Sequence, residues 1–185
     1  MRRTCRRSPH AALEYMTRLC EHAWDTLAPL PDEAVARGLR DIFSNGSDYP
    51  DALLNENLGW AARQRCIRSI YHLFPQYFSA KCRPKGPDPL DDVCFMWWDV
   101  YPLAGDPAID PAFARVDREL VEVMGSTLGL DSEACWYSAL HALGHWQVHH
   151  PARVAALVDG FLMQHPEIDP KLREYALAPR EGDVL

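Results

Sequence analysis

The chain reads as an all-α protein, and three features of its 185 residues say so. Apolar residues recur at three- and four-residue steps in stretch after stretch, the spacing that lines one face of a helix. No stretch alternates apolar and polar residues with the period of two expected of a half-buried strand. Prolines and glycines fall mostly at the ends of the periodic stretches, where helices start and stop.

The first helix is expected from Pro9 to Leu27, with Leu13, Met16, Cys20, Ala23, Trp24 and Leu27 as its apolar stripe. Pro31, Asp32 and Glu33 suit the first turn of a second helix, because proline has no amide hydrogen to lose there and acidic groups favour the positive helix end. Val35, Leu39, Ile42 and Phe43 form its buried side, and Ser44-Asn45-Gly46 ends it. Asn45-Gly46-Ser47 matches a glycosylation acceptor but is read as a turn. A short helical segment at 50–54 leads into a longer helix over 55–74, striped by Leu58, Ala62, Cys66, Ile70 and Leu73.

Pro75 interrupts that pattern, and residues 79–89, with three prolines and a glycine, read as a loop inside one domain. Leu90-Asp91-Asp92 opens a helix that carries Val93, Cys94, Met96, Trp97 and Val100 to a break at Pro102. Adjacent tryptophans on a helix point about 100° apart, so Trp97 and Trp98 are both core only if two faces are covered. A further helix spans 111–128, with Val116, Leu120, Val123 and Met124 inward, and Gly129 breaks it.

The chain is organised around Asp131–His150, which holds half of the eight histidines. Asp131-Ser132 supplies a start signal and Pro151 the stop. Trp136, Leu140, Leu143 and Gln147 share one side, and Tyr137, His141, His145 and His149 the other. A helix that is apolar or small nearly all round sits between neighbours. After Pro151, Val154, Leu157, Val158, Phe161 and Leu162 stripe the next helix, and 170–177 forms a last short one. The division is a basic arm at 1–8, one helical domain at 9–177 and a tail at 178–185.

A net charge of −7 argues against a nucleic-acid surface over the domain, although Arg2, Arg3, Arg6 and Arg7 make the arm basic. No apolar run approaches the roughly 18 residues of a membrane span, and the N-terminus lacks the apolar core of a secretory signal. The expected compartment is the cytoplasm. The six cysteines form no CxxC pair, and no cofactor is called for.

Two segments echo each other. Leu90-Asp91 with Cys94 and Leu130-Asp131 with Cys135 each lead a helix, and Ala114-Arg115-Val116 is matched by Ala152-Arg153-Val154. A period near forty residues built as helix, turn, helix resembles the HEAT-like class of α-helical repeats over roughly residues 57–170. The resemblance implies antiparallel helix pairs stacked as a short α-solenoid and a scaffold that binds other proteins. An irregular helical bundle is the structural alternative.

His141 and His145, four residues apart, leave one helix face one turn apart, and His149 extends the row; such spacing can put two imidazoles on one ion. Between the first two stand Ala142, Leu143 and Gly144, so the glutamate of HExxH is missing. Further ligands would come from elsewhere in the chain, with Asp99 and His72 as the candidates. The reading put first is that these histidines pack between helices. It makes the protein a non-enzymatic scaffold for a protein partner, of adaptor or bacterial immunity type. Its acidic surface suits a basic partner, and Trp97, Trp98, Trp136 and Trp146 are its groove residues. The alternatives are a metal-dependent enzyme on the His141/His145 face and a homo-oligomer that buries its aromatics.

Overall fold

The computed structural model describes residues 8–43, 47–99 and 111–183; residues 1–7 of the basic arm, Ser44–Gly46, Val100, Pro102 and the last two residues lie outside that description. The protein is all-α, with no strand among the described residues. No helix is long and apolar enough to cross a membrane among those residues.

The N-terminal helical stretch divides in two: α1 (Pro9–Glu21) and α2 (Ala23–Leu27) meet at His22, where φ is −121° and ψ 39°. The Gln76 side chain fits the break, accepting from the Ala23 amide and donating to the Glu21 carbonyl, each at 3.1 Å. The break changes the helical phase. Ala23 and Leu27 stay buried, but Trp24, expected in the apolar stripe, is 45 % exposed. Next come α3 (Asp32–Phe43) and α4 (Asp48–Leu54), the latter capped by the Ser47 hydroxyl.

α5 (Trp60–Leu73) buries Cys66, Ile70 and Leu73 as expected, with Ile67 buried beside them. In its first turns Ala62 is exposed and Arg63 is buried instead. That guanidinium donates to the Leu53 carbonyl at 3.2 Å and covers the Trp60 ring, which lets a charge sit inside. Pro75 does not stop the helix. The chain widens into a π turn, Phe74–Phe78, and runs on through α6 (Ser79–Lys81). Proline has no amide hydrogen for the regular ladder, and a π turn is one way to continue past it.

The segment 82–88 is the connector expected from its prolines, and α7 (Pro89–Phe95) ends earlier than its apolar pattern suggested. Then follow α8 (Pro111–Leu128), α9 (Glu133–Trp146), α10 (Pro151–Gln164) and α11 (Pro170–Glu181). α11 takes in residues 178–181, which the sequence assigned to the tail; Gly182, at φ 72°, caps it. α1 packs on α5, α5 on α8, and α8 on α9. α9 also meets α7, α10 and α11, which makes it the inner helix its composition called for.

Candidate metal centre

The site starts from the end of α7. After Phe95 the chain leaves helical geometry at Met96 and turns through residues 96–99. Trp97 and Trp98 lie in that turn, so both can point into the core, which a continuing helix would not allow. Trp98 stacks on Phe74 with centroids 5.8 Å apart, and Trp97 meets Phe78 edge-on at 5.6 Å. The π turn thus grips the two indoles, and Asp99, the next residue, is carried to the face of α9.

There Asp99 meets His141 and His145. The carboxylate Oδ2 is 3.2 Å from His141 Nε2, Oδ1 is 3.3 Å from His145 Nε2, and the two Nε2 atoms are 3.2 Å apart. His141 is buried, while the side chains of His145 and Asp99 are 39 % and 28 % exposed. The group is closed at its back and open at its front.

Two neighbours fix the buried ring, and a third backs one of them. The Tyr175 hydroxyl on α11 lies 3.3 Å from His141 Nδ1, and Phe95 packs on the imidazole at a centroid distance of 4.7 Å. Tyr137 packs on Tyr175 at 5.0 Å. Over the aromatic trio lies the Lys85 ammonium, 4.4 Å from the Tyr175 ring centre, 4.8 Å from Tyr137 and 5.4 Å from Phe95. Burial pushes the Tyr175 hydroxyl up to about 12, so it stays protonated.

The three Nε2 and carboxylate contacts cannot all be hydrogen bonds. A neutral imidazole carries one N–H, and a proton on Nε2 can serve one side of the triangle at a time. If both rings donate to Asp99, two N–H groups face each other. If one ring donates to the other, a lone pair faces the carboxylate. A cation between the three donors satisfies every side. With bonds of 2.0–2.1 Å, a tetrahedral ion holds its ligand atoms about 3.3 Å apart, close to the separation of the two Nε2 atoms and of each from one Asp99 oxygen. Among the described residues this is the group of histidine, cysteine and carboxylate side chains that could hold a metal ion.

The other sequence-named residues lie apart from it. α9 ends at Trp146, and the His149 and His150 amides turn back onto the Trp146 carbonyl. His149 therefore leaves the helical row and is exposed. His72 stays on α5, beside Tyr71. As partner anchors the tryptophans need correction. Trp97, Trp98 and Trp146 are buried, because each fills space between packed helices. Trp136 is half-buried, its N–H donating to the Leu130 carbonyl and its ring packed on Phe161 and His165. Tyr175 and Lys85 were not found from sequence, and no motif ties them to His141. No protein-family model, curated protein or solved structure matches the chain.

Proposed function

We propose that the protein binds a divalent transition-metal ion through Asp99, His141 and His145 and uses it as a hydrolytic centre. The observation that carries this reading is the convergence of three side chains: the two Nε2 atoms lie 3.2 Å apart, with Asp99 Oδ2 3.2 Å from one and Oδ1 3.3 Å from the other, an arrangement that suits an ion better than shared protons. Two imidazoles and a carboxylate suit zinc and its neighbours. Three protein ligands with a solvent-facing front leave room for water or substrate, which distinguishes catalytic from structural zinc sites. An ion there would supply Lewis acidity and lower the pKa of a coordinated water. The protein's part is to orient the ligands: the Trp97–Trp98 turn sets Asp99, and Tyr175 and Phe95 set His141.

The partner-scaffold reading loses three of its four anchors to the core. The HEAT-like arrangement remains a proposal about shape, supported by α9 lying among α7, α8, α10 and α11. A cytoplasmic setting is in keeping with the free thiols of Cys20, Cys66, Cys82, Cys94 and Cys135.

The test is a titration of chelator-treated protein with zinc and with cobalt(II), followed by elemental analysis and visible absorption. One equivalent should bind, with the intense visible bands of four-coordinate cobalt. The His141→Ala, His145→Ala double variant should lose it, while His149→Ala keeps it. No stoichiometric binding by the parent, or equal binding by the folded double variant, returns the histidines to a packing role.

A further inference from the structure

A second site lies away from the metal centre. Where α5, α8 and the start of α10 diverge, they enclose a cavity of about 580 Å³, of a size that takes a small molecule. Its walls carry charges of both signs, and their pairing decides what it attracts. Glu119 receives Arg68 Nε at 2.8 Å and Gln64 Nε2 at 2.6 Å. Glu122 receives Arg153 through two bonds. Both carboxylates are thus engaged.

Arg115 and Arg118 are not paired in this way, since neither makes a salt bridge among the described residues. Both are nonetheless held in place. The Arg115 guanidinium lies 3.8 Å from the centre of the Trp60 ring, and Arg118 donates its Nε to the Ala114 carbonyl at 3.2 Å. That bond leaves the Arg118 terminal nitrogens available. A pre-positioned guanidinium loses less freedom on meeting an oxyanion and can offer two parallel donors. His150 lines the same cavity, and its Nε2 is shielded from solvent without a hydrogen-bond partner. A shielded nitrogen without a partner is costly unless a ligand supplies one.

We propose that this cavity is a phosphate site, in which Arg115, Arg118 and His150 Nε2 hold the phosphoryl oxygens. A carboxylate would fill one guanidinium fork, whereas a phosphoryl group presents three oxygens to three separated donors. The Trp60 ring already carries the Arg115 guanidinium at 3.8 Å and that of Arg63 at 5.3 Å, so it is poorly placed to stack an aromatic base. The shared ligand chemistry is the phosphoryl dianion, free or at the end of a small organic ester.

The experiment is isothermal titration of the full chain with inorganic phosphate and with phenyl phosphate, in chelator so that no metal contributes. Sulfate serves as the control for simple anion attraction. Saturable one-site binding with a Kd below about 1 mM is expected for at least one phosphoryl probe. Arg118→Gln and Arg115→Gln should each weaken it at least about tenfold, while His145→Ala leaves it unchanged. Tighter binding of phenyl phosphate assigns the cavity to an organic ester, and equal binding assigns it to the free anion. The inference fails if neither phosphoryl probe saturates, if the arginine variants bind as the parent does, or if sulfate binds equally well. None of these results depends on whether Asp99, His141 and His145 hold an ion.

Discussion

Tyr175 reaches back from the last helix to the central one, setting its hydroxyl 3.3 Å from Nδ1 of His141. If Nε2 of that ring faces an ion, the ring proton sits on Nδ1 and is donated to the phenol oxygen. A hydrogen bond from the ring nitrogen that faces away from the ion fixes the tautomer and direction of a metal-binding imidazole and is worth about 10–100-fold in affinity. Tyr175→Phe keeps the ring that packs on Tyr137 and removes only the hydroxyl. We expect zinc affinity to fall about tenfold in a competition titration, with thermal stability little changed. An unaltered affinity would mean that the packing of Phe95 alone orients His141.

The loop that carries Lys85 is fastened by a buried carboxylate. Asp91 accepts the Arg83 amide at 2.8 Å and the Asp88 amide at 3.2 Å, and the turn between them puts Lys85 at φ 49°. Gly86 is what lets Asp91 come so close, since a Cβ there would lie 2.0 Å from its Oδ2. Gly86→Ala should therefore cost about 1–3 kcal/mol and shift Lys85 off its rings. Gly160, inside α10 with nothing within 4 Å of a Cβ, should show the opposite sign. There Gly160→Ala should add about 0.5–1 kcal/mol, because alanine loses less backbone freedom in a helix. Denaturant unfolding of the two variants beside the parent checks both.

Asp117 gives the stability a pH dependence. It is buried on α8, and neither carboxylate oxygen has a hydrogen bond of good geometry. Burial raises its pKa from the ordinary 3.8 to about 7, with the Trp146 indole offsetting part of that effect. Between those two values the folded chain holds a proton that the unfolded chain has lost, so stability falls as pH rises from about 4 to about 7 and then levels off. Asp117→Asn removes the ionisation with little change of shape. The variant should exceed the parent by about 2–4 kcal/mol at pH 8, and the gap should narrow steadily towards pH 5. A gap that stays constant with pH would show that Asp117 ionises freely.

Much of the helical layout was legible because burial follows the three-to-four-residue period wherever a helix packs on one side. Val116, Leu120, Val123 and Met124 on α8 are all buried as read. The period misled where the backbone left regular geometry. His22 shifts the phase and exposes Trp24, and Met96 ends α7 before the tryptophans. The site was half legible. His141 and His145 announce themselves by spacing, and Asp99 could be named but not placed. Its position depends on the Phe74–Phe78 π turn gripping Trp97 and Trp98, contacts between segments distant in the chain that no local pattern encodes. The Tyr175 bond to His141 crosses 34 residues and had no sequence signal at all.

The tryptophan pair separates the two accounts of what the aromatics do. As a surface anchor, Trp98 could be replaced with loss of binding and little loss of stability. In the core, its stacking on Phe74 and near-complete burial make it a large filled volume, and Trp98→Ala should cost about 3–5 kcal/mol. Trp24, partly exposed at the helix break, should cost far less when changed to alanine. Because Asp99 directly follows the Trp97–Trp98 turn, Trp98→Ala should also weaken cobalt binding under conditions where the variant remains folded. Trp24→Ala should leave cobalt binding alone. Calorimetry and cobalt absorbance on the same two variants would show whether the aromatic grip holds Asp99 in register with His141. A Trp98→Ala protein that stays stable and binds cobalt normally would place the source of that register elsewhere in the fold.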